Sequence, residues 1–142
     1  MDSMRLPQAR FLPHWIAVLF LPMTSGCGPQ EPPLFPVRGK VLFKSKPVPK
    51  AEMVFHPLFA GPGWMPVAVT NEDGSFEAST KKPGDGALAG RYKVTIVWHP
   101  GANDDEKGPN FLPPRYSRAA TSDLEIEVGP APKNPSTFEL KN

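Results

Sequence analysis

The amino-acid sequence predicts an all-β protein, with about seven short strands in an antiparallel sandwich that follows an N-terminal signal segment. Three observations predict this fold class. Short runs of residues alternate between apolar and polar side chains, as strands with one buried face do. No run after residue 26 sustains the 3.6-residue period of an amphipathic helix. The chain also contains 20 prolines, and a proline inside a helix costs about 3 kcal/mol or more.

The first 26 residues have the three parts of a secretory signal. Two arginines supply a positive start, residues 11–23 supply the apolar part, and Ser25-Gly26 supplies small residues before a cleavage site. Two prolines interrupt the apolar part, which is therefore shorter than the roughly 20 apolar residues of a transmembrane helix. We expect this segment to direct export and to be removed.

Cys27 is the only cysteine, and Gly26-Cys27 resembles the lipobox of bacterial lipoproteins, in which the cysteine is lipidated and becomes the first residue. Thr24 departs from that pattern, which has an aliphatic residue three places before the cysteine. The resemblance implies lipid attachment at Cys27 through several fatty-acyl chains such as palmitate, and two or more chains hold a protein firmly on a membrane. The alternatives are a free buried thiol and an ordinary cleaved signal with an incidental cysteine.

The residues after Cys27 bear on location and reach. The resemblance implies a cell-envelope lipoprotein that faces the periplasm or the surface, and Gly28 in place of an aspartate retention signal favours the outer membrane. Residues 27–36 are predicted to form a proline-rich tether, and the part after Cys27 spans up to about 28 Å as polyproline. An ordered lead-in to the first strand is the alternative.

Removal of residues 1–26 leaves 116 of the 142 residues and lowers the net charge from +2 to +1. This length suits a single domain, residues 37–142. A near-neutral chain lacks the clustered basic face of nucleic-acid-binding proteins, so no nucleic acid partner is expected. With Cys27 lipidated, no disulfide can form within the chain, and the hydrophobic core alone must hold the domain together.

Within this domain, seven runs alternate between apolar and polar positions and are separated by turn-forming residues. The strongest run has Tyr92, Val94, Ile96 and Trp98 on one face, and a tight turn with Gly74 at positive φ joins two other runs. The predicted strands are residues 37–44, 51–55, 67–70, 75–80, 90–98, 124–128 and 137–141. The predicted connections include a turn at residues 45–49 and loops at residues 81–89 and 100–123.

Five short motifs follow one another in the domain: Val-Arg-Gly-Lys-Val at residues 37–41, Lys-Pro-Val-Pro-Lys-Ala at 46–51, Val-Phe-His-Pro at 54–57, Thr-Asn-Glu-Asp-Gly-Ser-Phe at 70–76 and Ala-Gly-Arg-Tyr-Lys-Val at 89–94. Their order and spacing resemble the carboxypeptidase regulatory-like domain, a transthyretin-like (Ig-like) β-sandwich. The tail, at residues 112–116, 121–124 and 138–140, is similar to that of small bacterial lipoproteins with this domain. The resemblance implies a fold and a location but no active site.

Tyr92 opens the strongest strand, and we expect its hydroxyl to bond a nearby backbone group, as in a tyrosine corner. The sequence shows no catalytic constellation, so neither enzymatic activity nor a cofactor is expected. No serine lies in a Gly-x-Ser-x-Gly motif, and the C-terminal tyrosine–arginine–glycine–serine motif of transthyretin-related hydroxyisourate hydrolases is missing. The expected function is that of a membrane-anchored envelope lipoprotein with a structural or binding domain, whose partner is an envelope protein or a glycan.

Aromatic residues in the loops support an alternative function. Trp64, Phe111 and Tyr116 lie in loops rich in proline or glycine, where exposed rings can stack on sugars. They favour a carbohydrate-binding module. Packing at the ends of the sandwich is the other interpretation of these residues and of Phe59, because large apolar side chains usually find burial.

Metal binding is the remaining hypothesis. His56, His99, Tyr92 and Tyr116 supply the ligand types of a Tyr₂His₂ iron site, which intradiol dioxygenases carry on a related sandwich, so a metalloenzyme is a second alternative. No local motif supports that site, and a metal centre needs several converging ligands.

Calcium, which prefers oxygen ligands, could bind Asn71 and Asp73 or the acidic run at residues 104–106. Their spacing does not match the Asp-x-Asp-x-Asp-Gly loop. A hairpin turn and a solvated loop explain these residues more simply, so no metal is expected.

Overall fold

The structure is a computed structural model, which describes residues 28, 30–101, 108–131 and 136–142. The described domain belongs to the unit Glu31–Asn142. The predicted signal segment, Cys27 and the acidic residues 104–106 lie outside the described residues. None of the described residues forms a helix of the length and apolar character that crossing a membrane requires.

Strands make up nearly all the regular structure of the described residues, and the all-β class is therefore confirmed. The only helix in this part of the chain is a single 3-10 turn, Pro114–Ser117. The strands are β1 Leu34–Phe35, β2 Arg38–Phe43, β3 Lys46–Pro47, β4 Glu52–Pro57, β5 Val67–Val69, β6 Ser75–Glu77, β7 Ala87–Leu88, β8 Gly90–Val97, β9 Glu125–Val128 and β10 Ser136–Leu140.

These strands form three sheets. β1 and β7 make a two-stranded antiparallel sheet. In the second sheet, β2 pairs with β10 along one edge and with β3 and β6 along the other. The third sheet has the order β5-β4-β8-β9, and all its pairs are antiparallel. A bridge between Val67 and Ser79 connects β5 to the residues that follow β6.

The pairing of β2 with β10 is parallel, which departs from the wholly antiparallel arrangement that the sequence predicts. Alternation of apolar and polar residues has the same period in both directions, so it does not encode strand direction. β10 follows β9, which belongs to the other four-stranded sheet. It therefore reaches β2 by a crossing connection and not by a hairpin, and such a connection permits parallel pairing.

Side chains from both four-stranded sheets share one hydrophobic core. The rings of Phe55 on β4 and Phe76 on β6 have centroids 6.0 Å apart, and Phe76 stacks on Phe138 of β10 at 5.9 Å. Phe43, Trp98 and Leu124 pack against this core while only partly buried. The predicted core positions that the structure buries are Val37, Val41, Ala51, Met53, Phe55, Phe76, Ala78, Tyr92, Val94, Ile96, Ile126, Val128, Phe138 and Leu140.

The β2–β3 hairpin turns at Lys44-Ser45, before the turn that the sequence predicts at residues 45–49. Both residues have positive φ, 52° and 62°, as a two-residue type I′ turn requires. Lysine and serine are uncommon in this region of φ, so the sequence carries no signal for the turn. The tip is held by β10, because Lys44 N–H donates to Leu140 O (3.3 Å) and Ser45 N–H donates to Glu139 Oε1 (2.8 Å).

Candidate functional site

The end of β8 carries the first part of the candidate site. Trp98 follows the strand, and its backbone N–H donates to Asn110 Oδ1 at 3.0 Å. The Trp98 carbonyl accepts the N–H of Phe111 at 2.9 Å. Asn110 Oδ1 also accepts the N–H of Leu112 at 3.1 Å. One asparagine side chain therefore holds the returning segment, residues 108–112, against the strand end and brings Phe111 beside Trp98.

Trp98 and Phe111 form an aromatic pair at the protein surface. Their ring centroids are 6.1 Å apart and their planes are inclined by 64°. Trp98 is half-buried against the core, whereas Phe111 is 57% exposed. Such a pair offers a rigid apolar surface that can stack on a flat apolar face of a ligand. The structure thus places Phe111, one of the predicted binding residues, in an accessible position.

A cavity of about 160 Å³ adjoins Trp98 at the tip of the β2–β3 hairpin. We call this cavity, together with the neighbouring Phe111, the Trp98 pocket. Its wall is mainly apolar, and its charged groups come from the hairpin. The lining residues are Phe43, Lys44, Lys46, Pro47, Val48 and Trp98.

The charged groups of the Trp98 pocket are the ammonium groups of Lys44 and Lys46. The Lys44 ammonium lies 5.2 Å from the centroid of the Phe43 ring. Among the described residues, neither Lys44 nor Lys46 forms an ion pair with a carboxylate. Two exposed ammonium groups beside an apolar wall create a local positive potential that attracts anions. The pocket can therefore bind a ligand that combines an apolar face with negative charge.

Trp64, another predicted binding residue, is already covered by the protein itself. The Lys81 ammonium lies 4.1 Å from the centroid of its ring. Lys81 also pairs with Glu31 at 2.6 Å. Asp85 fixes the backbone here, because it accepts the N–H groups of Thr80 and Lys81 at 2.6 and 2.9 Å. These backbone bonds, that of Thr80 first, hold the pKa of Asp85 below its usual value.

Phe59 is a packing residue, in agreement with that interpretation of the loop aromatics. Its ring meets the ring of Tyr92 edge to face, with centroids 5.3 Å apart. It also lies over Gly90, where a Cβ atom would stand 2.4 Å from a ring carbon of Phe59. Gly90 therefore leaves the space that Phe59 fills.

Both tyrosines serve the fold. The Tyr92 hydroxyl donates to Leu88 O at 3.0 Å, as the tyrosine-corner prediction requires, and burial raises its pKa. Tyr116 is only 2% exposed, so the prediction that its ring lies open to a ligand is wrong. Its hydroxyl accepts the N–H of Lys141 at 3.0 Å and lies 3.2 Å from the Lys141 carbonyl. Tyr116 thereby ties the 3-10 helix to the C-terminal residues.

The predicted iron ligands are engaged separately. His56 Nε2 lies 2.9 Å from Thr95 Oγ1, and His99 Nδ1 lies 2.7 Å from Gly108 O. The hydroxyls of Tyr92 and Tyr116 bond backbone atoms, as described above. Throughout the described ranges, no group of three or more histidine, cysteine or acidic side chains is arranged to hold a metal ion.

The residues predicted for calcium serve the turn at residues 71–74. Gly74 has φ 78°, and its N–H donates to Asn71 O at 2.9 Å. Asp73 Oδ1 accepts the hydroxyl and the N–H of Ser75 at 2.6 and 3.0 Å. These bonds lower the pKa of Asp73, the hydroxyl bond most. The carboxylate is thus used within its own turn, which agrees with the simpler interpretation.

A larger cavity of about 490 Å³ lies between the start of β8 and the end of β9. Its charged lining groups are Arg91 and Glu127. Arg91 already pairs with Glu125, and no aromatic ring lines the cavity. It therefore lacks the combination of unpaired charge and aromatic surface that the Trp98 pocket offers, although it has the greater volume.

The outer face of the third sheet carries a second apolar surface. Val67 and Val69 lie at alternate positions of β5, and Met65 lies two residues before Val67; we call these three residues the β5 stripe. All three are about half exposed or more, with Val69 at 60%. Val54 of β4 lies opposite Val67 in the register. A contiguous apolar stripe of this kind is typical of a surface that meets another protein.

Sequence reasoning missed part of the Trp98 pocket. Trp98 is predicted as a core residue, and Phe43, Lys44 and Lys46 are assigned only to a strand and its turn. The missing information is the two-residue turn that brings both lysines beside the end of β8.

Comparisons of this chain with protein-family models, with curated proteins and with solved structures find no match.

Proposed function

We propose that this protein is a non-catalytic binding protein of the cell envelope, anchored in a membrane through lipid on Cys27. The Trp98 pocket is the observation that carries the proposal. It combines an exposed aromatic residue, Phe111, with an apolar cavity whose two lysines form no ion pair with a described carboxylate. An exposed apolar surface bordered by polar groups is typical of a binding site.

We also propose that residues 37–142 form a transthyretin-like β-sandwich of the carboxypeptidase regulatory-like kind. The shared core of the two four-stranded sheets supports this, through the contact of Phe55 with Phe76 at 6.0 Å. The bond from the Tyr92 hydroxyl to Leu88 O supports it further, because a tyrosine fixed in this way is a recurring feature of such sandwiches.

The anchor is tested by mass spectrometry of the N-terminal peptide of the processed protein. We expect a peptide that begins at Cys27 and carries acyl chains. In a Cys27→Ser variant, the protein should leave the membrane fraction. An unmodified cysteine, or cleavage at another site, would overturn the anchor while leaving the binding proposal intact.

Binding is tested by retention of solubilised envelope material on the immobilised protein. The wild type is compared with Phe111→Ala and with the control Trp64→Ala, whose ring is covered by Lys81. We expect Phe111→Ala to lose the retained material and Trp64→Ala to keep it. Equal retention by all three proteins would contradict a binding role for the Trp98 pocket.

The β5 stripe favours a second candidate function, which is docking of an envelope protein. Val67 and Val69 are 49% and 60% exposed on β5. In this case, Val67→Thr combined with Val69→Thr should abolish retention of a protein partner, while Phe111→Ala leaves it unchanged. Threonine keeps the β-branched shape that suits a strand, so the double variant tests the apolar surface and not the fold.

A further inference from the structure

We propose that the Trp98 pocket binds a uronic acid unit of an acidic polysaccharide. The inference rests on the proposed function and specifies its ligand. The apolar face of the sugar ring stacks on the aromatic pair of Trp98 and Phe111, and the carboxylate meets the ammonium groups of Lys44 and Lys46.

The aromatic surface determines the first half of the ligand. The backbone N–H of Trp98 donates to Asn110 Oδ1, and the Trp98 ring contacts the ring of Phe111. Phe111 is in turn 57% exposed. A rigid pair loses little conformational freedom on binding, which favours stacking with a ring. A pyranose ring presents C–H groups on one face and so matches this surface.

The two lysines determine the second part of the ligand, which is its negative charge. Other cations of the domain, such as Arg38 and Lys50, pair with Glu77 and Glu72 respectively. Lys44 and Lys46 meet no carboxylate within the described part of the chain. A ligand carboxylate is therefore the natural counter-ion for this pocket, and its attraction should weaken with salt.

The positions of the lysines are built into the hairpin. Lys44 and Ser45 both adopt positive φ, and residues in this region persist where the surrounding structure holds them. Glu139 supplies that hold through its bond to Ser45 N–H at 2.8 Å. The acidic group on β10 thus orients the tip of the hairpin.

The size of the cavity favours one unit of a polymer. At about 160 Å³ it is smaller than the roughly 300–1,000 Å³ of pockets that enclose a complete small molecule. One sugar ring fits, and the chain continues outside on either side. A peptide of acidic residues alone would satisfy the lysines but would leave the aromatic pair without a matching ring, so the polysaccharide is the better fit.

The test is calorimetric titration of the full processed protein in detergent with three polymers. Polygalacturonate carries the ring and the charge, its methyl-esterified form keeps the ring without the charge, and polyglutamate keeps the charge without the ring. We expect binding of polygalacturonate, with affinity at least tenfold lower for each of the other two polymers. The affinity should also fall as salt screens the charges.

Two pairs of variants locate the binding. Phe111→Ala should weaken polygalacturonate binding at least tenfold, whereas Trp64→Ala leaves it unchanged. Lys44→Gln with Lys46→Gln should weaken it roughly two- to fivefold per charge, whereas the control Lys50→Gln has no effect. Phe111 and both lysines are on the surface, so these changes spare the core.

The outcomes that would overturn the uronic acid assignment differ from those that would overturn a binding role for the Trp98 pocket. Equal binding of the esterified polymer, or stronger binding of polyglutamate, would overturn the uronic acid assignment. Absence of binding to polygalacturonate would also overturn it. In all these cases, a binding role for the Trp98 pocket would still be supported if Phe111→Ala failed to retain envelope material that the wild type and Trp64→Ala retain.

Discussion

Two regions of the domain carry a phenylalanine and a tryptophan in irregular backbone, and they use these residues in opposite ways. In the β4–β5 loop, residues 58–66, Phe59 packs on Tyr92 at 5.3 Å and Trp64 lies under the Lys81 ammonium at 4.1 Å. Beside the end of β8, Trp98 and Phe111 contact each other, and Phe111 remains 57% exposed.

The difference lies in the partners and not in the residue types. The cation at the β4–β5 loop, Lys81, already has Glu31 as its counter-ion at 2.6 Å. The cations of the Trp98 pocket, Lys44 and Lys46, have none among the described residues. An aromatic residue in a loop therefore indicates a binding site only where its ring is not covered by another side chain of the protein and where the neighbouring cations have no carboxylate partner.

The strongest test of this comparison pairs Phe59→Ala with Phe111→Ala. Phe59 loses burial and its edge-to-face contact with Tyr92, so we expect a loss of about 2–4 kcal/mol in the free energy of unfolding. Phe111 is largely exposed, and its removal should change that free energy by less than about 0.5 kcal/mol. Urea unfolding followed by circular dichroism measures both. Similar losses for the two variants would contradict the distinction.

Gly90→Ala tests the same packing from the opposite side. Gly90 has φ +147°, and a Cβ atom there would stand 2.4 Å from the Phe59 ring. We expect destabilisation of about 1–3 kcal/mol from the combined strain and clash. In a Phe59→Ala background the clash disappears, so the same substitution should cost less.

Gly129→Ala is the matched control for this substitution, because nothing lies within 4 Å of a Cβ atom at Gly129. It should leave the free energy of unfolding nearly unchanged. If the losses in the free energy of unfolding for Gly90→Ala and Phe59→Ala were fully additive, the clash between a Cβ atom at residue 90 and the Phe59 ring would not be the cause of the destabilisation.

The alternating pattern predicts which side chains are buried better than it predicts how strands pair. It finds the long strand with Tyr92, Val94 and Ile96, all of which are fully buried. It misses the parallel pairing of β2 with β10, because period-two alternation is the same in both directions. It also misses strands of two residues, such as β3, because so short a segment has no period.

The candidate site depends on information that no local pattern contains. The sequence leaves both exposure and packing open for the loop aromatics, and the structure divides them: Phe111 is 57% exposed, whereas Tyr116, five residues further along the chain, is only 2% exposed. Burial there depends on the C-terminal residues, since the Tyr116 hydroxyl accepts the N–H of Lys141 at 3.0 Å. Contacts between residues so distant in sequence are set by the complete fold.

The smallest expected effect concerns pH at the β4–β5 loop. Asp85 accepts the backbone N–H groups of Thr80, Lys81 and Lys82, and these bonds, that of Thr80 first, hold its pKa below its usual value. A carboxyl group whose pKa is lowered by folding stabilises the folded state fully above its unfolded pKa of about 3.9. That contribution is lost as the pH falls through the lower pKa of the folded state. Acid should therefore loosen the backbone that positions Lys81.

This effect can be followed in a variant in which Trp64 is the only tryptophan, because the Lys81 ammonium lies 4.1 Å from its ring centroid. We expect its fluorescence to change as the pH falls below about 4, and Asp85→Asn to remove most of that change. Asp73, whose pKa is lowered by its bonds to Ser75, gives the control Asp73→Asn, which should leave the transition in place. A transition that persists in Asp85→Asn would mean that Trp64 is covered without help from this carboxylate, and the contrast with the Trp98 pocket would then rest on the Lys81–Glu31 pair alone.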